Sequence, residues 1–305
     1  MMNSSLGDLN VTGNYSRYNN TTDSYEVTPS EIGWIALIGI TLIACFIGIV
    51  GNGYIIWLLG FQIKRNCFTT FIFNLAIADF GYLASIVICI IHHFTYFEES
   101  GIFFQICFYF AYMMYINANF LLTAISIDRC VAVLFPLWHR CSRPKHLSSR
   151  VCVFLWISSF LLGGVLNIVK NFGNYNLFIV YFLVAAIVCL PLIMLSTGIL
   201  FIKVCLKSNQ KNKSRLLLVI LITLLCFLIL GFPLNAIVVI VKFSGTDDSK
   251  IEYWILCTML FSYLNSSINP VIYFLVGRKK GAQSKESMKV LLQNVFKEGE
   301  ATRGR

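Results

Sequence analysis

Apolar residues run along this chain in blocks of twenty or more, separated by short polar connections. Seven such blocks stand near 32–59, 68–92, 102–134, 147–170, 176–206, 214–242 and 251–276. A helix that crosses a bilayer needs about 20 consecutive apolar residues, so each block predicts one span. The third and fifth are long enough to tilt or to project from the membrane. No soluble core calls for seven such runs. The predicted fold is an all-α membrane protein, a seven-transmembrane helix bundle followed by a short amphipathic helix.

Three regions follow. Residues 1–31 form a polar N-terminal tail, 32–276 the helical bundle, and 277–305 the amphipathic helix and C-terminal tail. The first tail holds five N-x-S/T acceptors, at Asn3, Asn10, Asn14, Asn19 and Asn20. Five in so short a stretch predict an exposed, glycosylated segment. No charged segment with a short apolar core opens the chain, so the first span is expected to serve as the targeting signal.

Composition supports this class: 57% of residues are hydrophobic and 12% charged, against about 25% charged in soluble domains. All of the 24 Lys and Arg except Arg17, Lys170, Lys242 and Lys250 fall on one side if the N-terminus lies outside. That bias predicts a cytoplasmic C-terminus. The net charge of +10 then reads as topology plus attraction to anionic inner-leaflet lipids. It gives no reason to expect a nucleic-acid partner.

Polar residues inside the blocks are informative, because each is costly in lipid unless it finds a partner. "GIVGNGYIIW" puts Asn52 in span one, "NLAIADF" puts Asp79 in span two, and "ISIDRC" closes span three with Asp128, Arg129 and Cys130. Trp156 stands in span four, Pro191 in span five, "FLILGFP" in span six and "NSSINPVIY" in span seven. This ordered set resembles the class A (rhodopsin-like) G-protein-coupled receptors over essentially the whole chain. The short third inner loop, "KESMKVLLQNVFKE" after span seven, and the run from Pro136 to Lys145 resemble the Mas-related subfamily.

The resemblance implies roles. Asp128, Arg129 and Cys130, with Asn269, Pro270 and Tyr273, would form the G-protein coupling switch. Where many relatives carry an acid at the base of span six, this chain has Lys213; a repulsive residue there predicts a weaker off-state. The span-five tyrosine that often partners Tyr273 is replaced by Ile199. Asn52, Asp79, Asn265, Ser266 and Asn269 would form a polar core network. Many class A receptors hold sodium there, but the span-three serine is replaced by Ala118, so tight sodium binding is not expected and no metal or cofactor is assigned. Asn119, Pro191 and Phe227 would form the central packing switch, with Gly231 and Pro233 beside them. Gly231 stands where a tryptophan is usual, leaves space there, and predicts a shallow binding site at the outer helix ends.

An amine ligand is disfavoured, because the span-three aspartate such ligands need is Ala111. Tyr109, Tyr112 and Tyr115 share a helix face at i, i+3 and i+6 and are candidates to line a ligand cavity. Asn167, Lys170, Tyr181, Asn235, Glu252 and Trp254 complete the candidate set. Glu98, Glu99, Asp247, Asp248 and Glu252 lie near the outer face; they read either as a solvated surface or as a rim that steers a cationic peptide.

Eleven cysteines do not indicate a disulfide framework here, since most fall in lipid or on the reducing side. The usual bridge from span three is missing, with Phe104 at its position. Cys89, Cys107 and Cys257 stand near the outer ends, and a Cys89–Cys107 pair is one possibility by spacing. After span seven, Met288, Leu291, Leu292, Val295 and Phe296 recur at helical spacing among Lys279, Lys280, Lys285 and Lys289, which predicts a membrane-surface helix.

Other functions fit less well. A transporter would show internal repeats and broken helices at a midplane site, and neither is visible. An enzyme would need an acid–base or nucleophile set, and the four histidines stand in no such spacing. The expected function is a plasma-membrane receptor that passes an outer signal, a peptide or small amphiphile, to a heterotrimeric G protein of the Gq/11 or Gi class. The alternative is a constitutively active or partner-regulating receptor without a dedicated ligand.

Overall fold

Asn66 sets the start of the second helix. Its Oδ1 accepts the backbone N–H groups of Phe68 and Thr69 at 3.0 and 2.8 Å, and the Thr69 hydroxyl accepts Asn66 N–H at 2.7 Å. This reciprocal cap satisfies donors that a helix start leaves open. In the computed structural model the described residues are 29–63, 65–96, 101–144, 146–171, 188–206, 215–244 and 249–277.

Span one is Pro29–Trp57 and ends in a π-helical turn, Leu58–Gln62. Span two is Cys67–Tyr96, span three Ile102–Leu134 and span four Leu147–Asn171. Span five is described over Leu190–Leu206, and the part expected at 176–187 lies outside the described residues. Span six runs Arg215–Cys226, widens into a π turn at Phe227–Gly231 and continues as Phe232–Ser244. Span seven is Ser249–Gly277, with Pro270 inside it. Six of these spans are long and apolar enough to cross a membrane, and Leu190–Lys203 is a shorter apolar helix. Among the described residues there is no strand, so the all-α bundle stands. The amphipathic helix expected after span seven lies outside the described residues.

Span three is the central helix. The most apolar stretch of that helix is 72% buried, against 22% for spans one and four. It packs on spans two, four, five and six, while span one closes the ring against spans two and seven. Ile116, Leu121, Leu122, Ile193 and Leu200 are fully buried around it. Phe46, Phe154, Leu161, Leu195 and Ile229 face outward, an apolar exterior suited to lipid rather than water.

Two glycines set the contact between spans one and seven. A Cβ on Gly51 would lie 2.9 Å from Pro270 Cβ, and one on Gly48 would run into Leu83 and Ser267. Only bare backbone permits that approach, and it brings Asn52 within reach of span seven.

Two sequence expectations change here. Pro191 does not join the packing switch: it lies on the exposed face of span five. Cys189, Ile193, Ser196, Thr197 and Leu200 are buried instead, and at about 100° per residue Pro191 sits roughly opposite Cys189 and Ile193. Cys89 and Cys107 are free thiols, and among the described residues no disulfide is present.

Candidate functional site

At the Asp128 end of the bundle, three charged side chains are withdrawn from solvent. Arg129 Nε donates to Asp128 Oδ2 at 3.1 Å, and Arg129 Nη2 donates to the same oxygen. The Arg129 guanidinium also lies over the Phe68 ring, 4.4 Å from its centroid. Such a contact stabilises by about 0.5–2 kcal/mol, more when water is excluded. The other oxygen, Oδ1, is 2.6 Å from Arg143 Nη2, with His139 Nε2 at 3.8 Å. Arg143 Nη2 donates to Ser148 Oγ at 2.7 Å, and Arg143 Nη1 meets His139 Nε2.

The sequence brought out Asp128 and Arg129 but missed Phe68, Arg143, His139 and Ser148. Arg143 falls within the run Pro136–Lys145 that was read only as a subfamily mark. Its spacing carries no charge pattern; the π-helical turn Trp138–Ser142 brings the following arginine back to span three. Cys130 pairs with Ser196 of span five. Lys213 lies outside the described residues.

Deeper in the bundle, Asp79 is buried and accepts Asn269 Nδ2 at 2.9 Å; Ser266 also bonds to it. Asn52 Nδ2 donates to the carbonyls of Gly48 and Ser266, each at 3.0 Å. These bonds join Asn52, Asp79, Ser266 and Asn269. Asn265 departs from this group: it turns towards span six, where a Cβ on Gly231 would stand 3.3 Å from its Nδ2. One helical step of about 100° separates it from Ser266, enough to change the neighbour it faces. Asn269 offers Asp79 its N–H, and Ala118 is buried with no oxygen to add. A hard cation wants several oxygen ligands, so this set does not suit tight sodium binding.

Tyr273 is buried and, with Phe68, Ile72, Ile125 and Thr223, lines a small apolar cavity. The cavity stands between Arg129's end of span three and span six.

Gly231 does not leave space. A Cβ there would fall 2.7 Å from Phe227 Cδ2, because the π turn lays the Phe227 ring over the glycine. Pro233 accounts for the turn: it lacks an N–H and its ring crowds the carbonyl four residues back, so Phe232 N–H bonds five back, to Phe227 O. Phe227 and Asn119 are both buried, so two of the three packing residues remain. Tyr115 OH donates to Gly231 O at 3.4 Å, and Asn235 Nδ2 donates to the same carbonyl at 3.2 Å.

The tyrosine face divides along its length. Tyr115 packs on Tyr82, centroids 5.3 Å apart, and Tyr82 on Tyr263 at 5.6 Å, with Tyr82 OH paired to Ser262 Oγ at 2.8 Å. Tyr112 and Tyr115 are buried and Tyr109 is half-buried, so the inner two are core residues. Trp254 is exposed. Asn167, Lys170 and Glu252 stand on their helices with side chains outside the described set, and Tyr181, the other outer acids and Asn3, Asn10, Asn14, Asn19 and Asn20 lie outside it altogether. In span four, Trp156 Nε1 donates to Asn74 Oδ1 at 2.9 Å, joining that span to span two.

Residues 51–273 match the family model described as "7 transmembrane receptor (rhodopsin family)". The chain is 34% identical over 293 residues to Mas-related G-protein coupled receptor member H of Rattus norvegicus, covering 91% of each chain. To proto-oncogene Mas of Homo sapiens it is 35% identical over 267 residues, covering 83% of this chain and 80% of that one. Mas-related G-protein coupled receptor member X2 of Homo sapiens is 32% identical over 299 residues, covering 91% and 90%.

Proposed function

The chain belongs to the rhodopsin family of seven-transmembrane receptors, among its Mas-related members, and on that premise we propose that it turns an extracellular peptide or small amphiphile into activation of a Gq/11 or Gi protein. It is a multi-pass membrane receptor of the cell surface, not an enzyme, and its family partner is a heterotrimeric G protein. The N-terminus is then extracellular, and Asp128 and Arg129 stand at the cytoplasmic face beside anionic lipid.

The observation that carries the reading is the state of Arg129. Its guanidinium is buried, paired with Asp128 and covered by Phe68. A cation held this way is a donor in reserve: outward movement of span six would open the face it looks towards and let it bond to carbonyls of the partner. The π turn at Phe227–Gly231 gives span six a place to bend. Ligand contact near the outer helix ends fits the burial of Tyr112 and Tyr115 and the filled space at Gly231.

A peptide and amphiphile library screened for calcium release, with Arg129→Ala as control, tests the proposal. Ligand responses that vanish in Arg129→Ala support it; responses that persist unchanged contradict it. Lys213, a cation just before span six in the sequence, favours a second reading of ligand-independent activity. Nucleotide exchange that is equal with and without every ligand would support that reading instead.

A further inference from the structure

Two arginines bind Asp128 on different oxygens. Arg129 occupies Oδ2, while Arg143 Nη2 stands 2.6 Å from Oδ1. Arg143 is held without help from Arg129: Ser148 on span four accepts from Nη2 at 2.7 Å, and His139 meets Nη1. The Arg143 side chain is 3% exposed and that of Asp128 10%. Departure of Arg129 would therefore leave Arg143 in place against a carboxylate that has little access to water.

We propose that Arg143 is a positioning residue for G-protein coupling, which keeps the Asp128 carboxylate paired when Arg129 moves away to the partner. The inference rests on the reading of Arg129 as the contact residue. A residue shifts a two-state equilibrium only through the difference it makes between the states. With Arg129 in place, Asp128 has two guanidinium partners and tolerates the loss of one. With Arg129 withdrawn, Arg143 is the guanidinium that remains, and a buried carboxylate stripped of its partner is strongly disfavoured. His139, whose Nε2 stands 3.8 Å from Oδ1, is beyond the length of a strong hydrogen bond and replaces a guanidinium only in part. Neutralising Arg143 thus disfavours the released state more than the resting one, so coupling falls. A plain tether that held the receptor off would do the reverse.

The test is the affinity of the full-length receptor, in lipid nanodiscs, for heterotrimeric Gq and Gi stripped of nucleotide. Arg143→Gln is expected to weaken binding about tenfold or more, and Arg143→Lys to restore most of it. In an Asp128→Asn background, which has no buried charge to pair, the added Arg143→Gln should change affinity by less than about twofold. Unchanged or tighter binding in Arg143→Gln alone, or an equal loss in the Asp128→Asn background, overturns the proposal. If Arg129→Ala binds as tightly as wild type, the coupling reading fails and this inference falls with it.

Discussion

The Arg129 guanidinium lies 4.4 Å from the centroid of the Phe68 ring while donating to Asp128 from the same span. Spans two and three thus share the restraint on Arg129. Replacing Phe68 with Leu keeps apolar bulk and removes the aromatic face. A loss of about 0.5–1 kcal/mol corresponds to a two- to five-fold rise in basal nucleotide exchange. Phe68→Tyr, which retains the face, should stay near wild type. Equal exchange in Phe68→Leu and wild type would show that the ring restrains nothing.

Lys213 gives a second prediction, read from the sequence alone. The sequence places this cation just before span six; were it to repel Arg129, basal exchange should exceed that of empty membranes. Lys213→Glu would then supply an attraction and should lower it by about two- to five-fold, the range of a surface ion pair. Basal signalling equal to vector control, and unaltered in Lys213→Glu, would remove Lys213 from the account.

Gly231 gives a stability prediction. A methyl group at this position would meet Phe227 Cδ2 at 2.7 Å and Asn265 Nδ2 at 3.3 Å. Overpacking of this kind costs about 1–3 kcal/mol, so Gly231→Ala should melt several degrees lower in detergent. The pair Gly231→Ala with Phe227→Leu should recover part of the loss, since the ring causes the clash. An unshifted melting temperature in the single variant would mean that the ring has room to move aside.

Asp79 yields a negative expectation. With Asn269 donating an N–H and Ala118 offering no oxygen, exchange of sodium for choline at equal ionic strength should leave basal exchange and melting temperature the same in wild type and Asp79→Asn. A sodium-dependent shift in wild type, lost in Asp79→Asn, would establish an ion there.

The bundle was legible because lipid imposes one rule on every span: long apolar runs with rare polar interruptions. The partners of Asp79 came from the family resemblance, and Asn269 and Ser266 do bond to it. Asn265 was misplaced, because one residue of helical phase decides whether it faces span two or span six. Pro191 failed similarly, its position in the motif saying nothing about the face it occupies. Gly231 looked like a vacancy, yet the π turn beside Pro233 moves Phe227 into it. Phe68 and Arg143 were not legible, since long-range ring contacts and loop geometry leave no period in a sequence.

The most direct test of the account is guanine-nucleotide exchange on purified Gq/11 and Gi heterotrimers by the receptor in lipid nanodiscs, comparing wild type with Arg129→Ala at matched folded amounts. The account predicts catalysed exchange on at least one of these G proteins by wild type and none above background by Arg129→Ala. Equal exchange by the two receptors would contradict it.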